Sequence, residues 1–316
     1  MKVILYMTAT QREKHLIDTV RAGFKRHGVE TKFFEVKQYQ KADPHFDLAV
    51  FVGVRRKSAR IYRHSRAINQ PTLMIDKGYF RRDLSFHRFS INGPQPYYVT
   101  QVQGDRNRLR ELGVKVAYKP QPPAANKVVY AGASDKYSIF HSLGGSEETL
   151  WDSNAGLYPE GSPDKLMAAD TYTTEVCSKL HDAITKSGKD LKLVYRPQPS
   201  WWQRKEFHYC PPNATISLPD ERFGDVLSSC YCLATHGSNA GVEAALAGVP
   251  VLSTGDPTTN PLHDLVNTSF DEAINAPKRP TEAELEKRLA ALAWCQFKYD
   301  EISNGFAWDT VKQWVK

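Results

Sequence analysis

The sequence of 316 residues lacks any long hydrophobic run. No apolar stretch approaches the ~18 residues of a membrane-spanning helix, and the first apolar run, residues 3–7, is too short for the core of a signal peptide. A composition of 41% hydrophobic and 24% charged residues also excludes a disordered or fibrous chain. We therefore expect a globular, cytoplasmic protein that does not associate with membranes.

Cysteine is scarce as well, with five residues in the whole chain. Their spacing shows neither the paired C-x-x-C pattern of a zinc site nor the density of a disulfide scaffold, and no suitable loop carries an Asp-x-Asp metal signature. We expect the thiols to be buried small hydrophobes. The five residues are Cys177, Cys210, Cys230, Cys232 and Cys295.

Short apolar runs alternate with helical patterns along most of the chain. Apolar runs at residues 3–7, 48–54 and 72–75 are separated by residues 12–27 and 58–68, whose hydrophobic positions recur at helical spacing. Apolar strands separated by helices are typical of a parallel sheet with right-handed crossovers. The first half is therefore predicted to be Rossmann-like.

The same alternation resumes at residue 127, after a proline-rich stretch at 119–126 that has linker composition. We predict an α/β fold of two Rossmann-like domains facing a cleft. Their expected bounds are residues 1–123 for the N-terminal domain and 124–300 for the C-terminal domain. The remaining tail, 301–316, carries aromatic residues that need a packing surface, which the N-terminal domain can provide.

The most informative stretch is residues 233–252. An apolar strand ends at Thr235, a small polar loop follows, and a helix begins near Asn239. Free backbone N–H groups at the start of a helix, together with its dipole, favour a phosphate or diphosphate, and a glycine lets the backbone approach it closely. The alternative is plain helix capping by the loop. The loop residues are His236, Gly237 and Ser238.

Glu243 lies about one turn into this helix, where it can accept hydrogen bonds from sugar hydroxyls beside a bound phosphate. A Gly-x-Pro turn at residues 248–250 closes the segment. Over residues 190–256 the sequence resembles the nucleotide-sugar site of GT-B glycosyltransferases, in which a His-Gly/Ser loop, a Glu on the next helix and a Gly-x-Pro hold the donor. This resemblance implies a GT-B architecture and a donor-binding role for residues 236–239 and Glu243.

A second element supports the same resemblance. Residues 196–199 read Arg-Pro-Gln-Pro at the end of a strand, similar to the Arg-Pro-His-Pro of capsule-type sugar transferases and of glycosyltransferase-like phage proteins. Gln198 stands where those proteins have histidine, which leaves Arg196 as the expected phosphate contact. The guanidinium suits a phosphate because it is a permanently charged, two-pronged donor, although Arg196 could also be a surface ion-pair partner.

Asp76 is the candidate catalytic base of the first half. It follows the apolar run at residues 72–75, and ligands of open α/β sheets collect at the carboxyl ends of strands. A carboxylate there could deprotonate an acceptor hydroxyl, whereas the simpler interpretation is a turn-forming aspartate before Lys-Gly. Weaker alternatives for the base are His87, Asp105 and Asp135.

The positive charge is concentrated in residues 51–90, where ten basic residues face two acidic ones. This excess of +8 exceeds the +7 of the whole chain. Aromatic residues are interleaved with the basic ones, so the segment predicts a surface that binds a phosphate backbone and stacks on a base, although a solvated helix face is the alternative. The expected DNA contacts are Arg55, Arg56, Lys57, Arg60, Arg63, Arg81 and Arg82.

Taken with this basic half, the chain resembles phage DNA glycosyltransferases that decorate a 5-hydroxymethylated pyrimidine. The resemblance implies a UDP-sugar donor, no obligatory metal or other cofactor, DNA as acceptor, a monomer, and the host cytoplasm if a phage encodes the chain. The base would be rotated out of the duplex to react. Two alternatives stay open: a capsule or cell-wall saccharide as acceptor, and a non-enzymatic DNA-binding protein with a degenerate nucleotide-sugar pocket.

Overall fold

The computed structural model describes most of the chain. The described residues are 1–8, 10–53, 57–80, 86–93, 96–114, 116, 118, 125–132, 163–198, 209–217, 220–255, 257 and 260–315, without the side chains of residues 57, 59, 63, 97 and 163–170. The described contacts divide the chain into two units. Unit 1 comprises Met1–Lys115 and Lys287–Lys316, and unit 2 comprises Val116–Glu286.

Unit 1 contains a six-stranded sheet with helices between its parallel strands. In chain order its elements are β1 (Lys2–Met7), α1 (Gln11–Arg26), β2 (Glu30–Glu35), β3 (Leu48–Val52), α2 (Lys57–Ala67), β4 (Thr72–Lys77), β5 (His87–Ile91) and α3 (Arg106–Glu111). The sheet order is β11-β5-β4-β3-β1-β2, where β11 is the C-terminal strand Gln296–Phe297. β1 to β4 pair in parallel, and β5 is antiparallel to both of its neighbours.

Unit 2 contains a five-stranded, entirely parallel sheet of order β10-β9-β6-β7-β8. Its elements are β6 (Lys127–Ala131), α4 (Pro163–Ser187), β7 (Lys192–Arg196), β8 (Thr215–Ile216), α5 (Phe223–Ser228), β9 (Cys230–Thr235), α6 (Asn239–Leu246), β10 (Val251–Ser253) and α7 (Phe270–Asn275). The central strands β6, β7 and β9 are each buried at all but one residue, as expected of strands covered on both faces. The predicted α/β fold with two Rossmann-like domains is confirmed.

The last part of the chain returns to unit 1 through α8 (Glu282–Ala293), β11, α9 (Tyr299–Ser303) and α10 (Phe306–Val311). This return begins at Lys287, earlier than the residue 301 expected from the sequence, because β11 adds an edge strand to β5. Trp308 packs edge-on against Phe24 with ring centroids 4.7 Å apart. Trp314 stacks on Tyr98 at 4.4 Å. Aromatic burial therefore joins this segment to unit 1.

Local sequence explains where α1 begins and ends. The Thr10 hydroxyl accepts a hydrogen bond from the Glu13 backbone N–H, which caps the first turn. The apolar positions of the helix are buried against the sheet, and they are Leu16, Ile17, Val20 and Phe24. Gly28, at φ 67°, follows the helix in the left-handed conformation that glycine tolerates best.

Candidate functional site

The candidate site lies at the carboxyl edge of the unit 2 sheet. Because β6, β7, β9 and β10 are parallel, the segments that follow them leave the sheet at one edge. These segments begin at Gly132, Pro197, His236 and Thr254. Ligands of open α/β sheets bind at this edge. Two of the predicted donor elements therefore lie at this edge, since Arg196 is the last residue of β7 and the His236 loop follows β9.

The loop after β9 has the geometry of an anion site. Gly237 adopts φ 66°, a left-handed conformation that favours glycine, and so turns the chain sharply between strand and helix. The Ser238 hydroxyl accepts a hydrogen bond from the Ala240 N–H at 3.2 Å and caps α6, which begins at Asn239. The predicted residues His236 to Asn239 are thus brought together at a helix N-terminus, which attracts phosphate.

Glu243 lies on the second turn of α6, and its side chain is exposed. An exposed carboxylate is accessible to a polar ligand. Its contact with the hydroxyls of a donor sugar stays a prediction.

His236 is held in place by residues that the sequence did not indicate. Its imidazole is 8% exposed. Its Nδ1 lies 3.2 Å from the hydroxyl of Tyr172 on α4, and that hydroxyl also lies 3.1 Å from Oγ1 of Thr254. The ring also packs on Gly255, where any Cβ would overlap the imidazole. Thr254 and Gly255 follow β10 at the same sheet edge. This position after a predicted strand is the signal by which the sequence could have indicated them as site residues.

Tyr172 is a permanent hydrogen-bond donor in this cluster. Burial raises the pKa of its phenol to about 12. The hydroxyl therefore keeps its proton at every physiological pH.

Arg196, the predicted phosphate contact, makes several contacts within unit 2. Its Nη1 donates to Oγ of Ser217 at 2.8 Å, and its Nη2 donates to the backbone carbonyl of Glu221 at 2.7 Å. The Ser217 hydroxyl donates in turn to the Glu221 carboxylate at 2.6 Å, and the guanidinium lies over the Phe223 ring at 5.5 Å. Arg196 therefore fixes the segment that follows β8. Its contact with a phosphate stays a prediction.

In unit 1, Asp76 lies near the end of β4 with 35% of its side chain exposed. Its Oδ2 forms an ion pair with Nη2 of Arg88 at 3.1 Å, and its Oδ1 accepts the backbone N–H of Lys77 at 2.8 Å. The carboxylate is accessible, so its catalytic role stays a prediction.

The alternative bases have structural roles among the described residues. Asp105 caps α3 by accepting the backbone N–H groups of Asn107 and Arg108, at 3.0 and 3.2 Å. His87 is buried in β5 and packs against Tyr299, with ring centroids 4.9 Å apart. Asp135 lies outside the described residues.

The interpretation of the basic segment needs one correction. Its interleaved aromatic residues were expected to stack on a base, but all five are buried in unit 1 and cannot do so from the surface. They are Tyr62, Tyr79, Phe80, Phe86 and Phe89. Arg88 is buried too and pairs with Asp76, so it adds no surface charge.

Of the expected DNA contacts, Arg60 on α2 is exposed. Lys57 and Arg63 belong to the same helix, but their side chains are outside the description. Four more predicted contacts lie outside the described residues altogether, namely Arg55, Arg56, Arg81 and Arg82.

Within the described part of the chain, no three His, Cys, Asp or Glu side chains are grouped so that they could hold a metal ion. The five cysteines are all free thiols. Four are buried as expected, but Cys210 is exposed, because it lies on the surface segment before β8. No described helix is both long and apolar enough to cross a membrane.

The chain matches no protein-family model and no curated protein. Among solved structures it is similar to Thermosulfurimonas dismutans KpsC, beta Kdo 2,7 transferase, at 14% identity and a TM-score of 0.47 over 98% of this chain and 99% of that one. It is also similar to T. dismutans KpsC, beta Kdo 2,4 transferase, at 14% identity and a TM-score of 0.46 over 91% of this chain and 89% of that one. Its similarity to the glycosyltransferase SnogD from Streptomyces nogalater has 10% identity and a TM-score of 0.28 over 99% of each chain. Similarity at this level leaves the activity to be argued from the chain's own residues.

Proposed function

We propose that the chain is a glycosyltransferase whose donor is a nucleoside diphosphate sugar, with UDP as the nucleoside diphosphate. The observation that carries the proposal is the His236 loop, which joins a left-handed Gly237 and a serine-capped helix at the carboxyl edge of a parallel sheet. The N–H groups and dipole of α6 would stabilise the charge that develops on the leaving diphosphate. No metal is then required to neutralise it.

In the proposed reaction an acceptor hydroxyl attacks the anomeric carbon of the sugar as the bond from that carbon to the diphosphate oxygen breaks. The acceptor proton passes to a base, for which Asp76 is our candidate. The diphosphate leaves with the electron pair of the broken bond and is held by the His236 loop. Glu243 would bind hydroxyls of the sugar, and Arg196 would approach the diphosphate from the end of β7, which β6 separates from β9.

Donor binding is tested by calorimetry with UDP and by hydrolysis and transfer assays with a panel of UDP-sugars. We expect Glu243→Ala to weaken UDP-sugar binding about tenfold without loss of folding, since the residue is exposed. The matched control is Glu282→Ala, an exposed glutamate on α8. Absence of UDP binding by the native protein would favour the non-enzymatic alternative.

We further propose DNA that carries hydroxymethylated pyrimidines as the acceptor. The support is the +8 excess in residues 51–90, which suits a polyanion. Arg60→Ala should reduce DNA affinity and lower the magnitude of the slope of log K against log salt by about 1. The matched control is Arg110→Ala, an exposed arginine on α3, which should leave both quantities unchanged. Mass spectrometry of nucleosides after incubation with hydroxymethylcytosine or hydroxymethyluracil DNA detects the product.

An anionic saccharide of a capsule or cell wall is the second candidate acceptor. It is favoured by the burial of the five interleaved aromatic residues, which leaves them unable to stack on a base. A basic surface binds a carboxylated polymer as readily as a phosphodiester backbone. Transfer to such a saccharide, with no DNA binding at moderate salt, would decide for this candidate.

A further inference from the structure

The imidazole of His236 is oriented by a small cluster contributed by three separate segments of unit 2. Tyr172 comes from α4, Thr254 and Gly255 come from the loop after β10, and His236 precedes α6. The Tyr172 hydroxyl lies 3.2 Å from Nδ1 of His236 and 3.1 Å from the Thr254 hydroxyl. The Thr254 carbonyl is farther away, at 3.4 Å.

Hydrogen-bond accounting limits the arrangements of protons in this cluster. The tyrosine has one proton to donate, and the threonine hydroxyl can either donate or accept. If Thr254 donates to the tyrosine oxygen, the Tyr172 proton can go to Nδ1 of His236 at 3.2 Å or to the Thr254 carbonyl at 3.4 Å, and the shorter contact favours Nδ1. A neutral imidazole that accepts at Nδ1 carries its own proton on Nε2.

This tautomer suits the diphosphate at the start of α6. A neutral imidazole protonated on Nε2 offers an N–H donor to a phosphate oxygen, whereas the opposite tautomer would present a lone pair that repels it. We propose that Tyr172 and Gly255 are positioning residues, which fix His236 as the neutral tautomer protonated on Nε2 and direct that N–H to the donor diphosphate. The role in binding rests on the proposed function, but the tautomer is a property of the protein alone.

Gly255 controls the position of the ring and Tyr172 its protonation. A Cβ at residue 255 would overlap Cε1 and Nδ1 of His236, so the imidazole must move if the glycine is replaced. Its backbone does not adopt a left-handed φ, so Gly255→Ala disturbs the contact with the histidine and not the conformation of the loop.

The tautomer is read by NMR of the full chain labelled with 15N-histidine, because the two ring nitrogens have different shifts when protonated and unprotonated. The chain has ten histidines, and His236→Asn identifies the signals of His236 by their loss. We expect native His236 to be neutral and protonated on Nε2, and Tyr172→Phe to shift its signals toward the other tautomer. A native ring protonated on Nδ1, or an unchanged spectrum in Tyr172→Phe, overturns the proposal.

Binding of UDP is measured on the same proteins. We expect Tyr172→Phe to weaken UDP binding about three- to tenfold, the loss of roughly one hydrogen bond. Gly255→Ala should weaken it at least as much. Matched controls are Tyr231→Phe, which loses a hydrogen bond to the Ile274 carbonyl, and Gly224→Ala, where nothing lies within 4 Å of the new Cβ.

The two proposals fail in distinguishable ways. If the native protein does not bind UDP but the tautomer responds to Tyr172→Phe as expected, the proposed function fails and the role of Tyr172 in orienting His236 stands. If UDP binds and Tyr172→Phe binds it as tightly as the native protein does, the positioning role in donor binding is refuted.

Discussion

Replacement of Arg108 should loosen the last thirty residues from the rest of unit 1. Its side chain is 3% exposed. Its Nη2 donates to Glu301 at 2.9 Å and to the Gln296 carbonyl at 3.0 Å, and its Nε donates to the Ala293 carbonyl at 3.4 Å. Burial alone would lower the pKa of Arg108, but hydrogen bonds and the charge of Glu301 outweigh it, and the pKa is raised. The guanidinium stays charged.

The cost of removing this side chain follows from what it leaves behind. Arg108→Ala leaves the Glu301 carboxylate, which is 17% exposed, without its principal partner, and two buried carbonyls lose a donor. Breaking a buried pair by removing one partner costs about 3–5 kcal/mol. Glu301→Gln keeps the size of the side chain but removes its charge and one of its two acceptor oxygens, so we expect a smaller cost of about 1–3 kcal/mol.

Urea unfolding followed by tryptophan fluorescence measures both effects, because Trp294, Trp308 and Trp314 belong to this segment. The control is Arg110→Ala on the same helix, an exposed change that should cost less than about 0.5 kcal/mol. If Arg108→Ala costs less than about 1 kcal/mol, or no more than the control, the buried pair is not what holds the segment.

Three further predictions concern single residues. Burial raises the pKa of thiols such as Cys232 to about 12, so a thiol reagent should modify the exposed Cys210 at least ~10-fold faster, and Cys210→Ser should abolish this fast phase. Gly104→Ala places a Cβ against the backbone of α8 and should cost about 1–3 kcal/mol in urea unfolding, whereas Gly224→Ala should cost almost nothing. Asp76→Asn should lower kcat about 10²–10⁴-fold with UDP affinity unchanged, and a kcat within about threefold of native would exclude Asp76 as the base.

Local patterns were sufficient to predict the parallel strands of both sheets and the strand, turn and capped helix around Gly237. The apolar runs became buried strands, and the sequence around Gly237 was read as a strand, a turn and a capped helix because each feature depends on neighbouring residues. Tyr172 could not be found in this way. It lies 64 residues before His236, and only the packing of α4 brings the two side chains together.

The base stacking predicted for the aromatic residues of the basic segment is wrong for a related reason. Alternation of arginine with aromatic residues suggested a surface, but β5 is an interior strand whose five residues are all buried. It is interior because β11, a strand of two residues some 200 positions later, pairs with its outer edge. Such a short, distant strand has no periodicity of its own, so the sequence could not reveal that Arg88 would be enclosed.

The burial of Arg88 leaves the net charge of the basic segment unchanged, whereas the burial of the aromatic residues changes the kind of binding that the segment can support. Arg88 and Asp76 neutralise each other, so residues 51–90 still hold nine other basic residues against one acidic residue. The aromatic side chains, however, are enclosed. Attraction between a basic surface and a polyanion depends on the salt concentration and not on the sequence of the polyanion. Binding of individual bases, by contrast, depends on stacking against aromatic side chains. A polyanion should therefore bind this half through its backbone charge, and any selectivity for a modified base has to come from the site where the sugar is transferred.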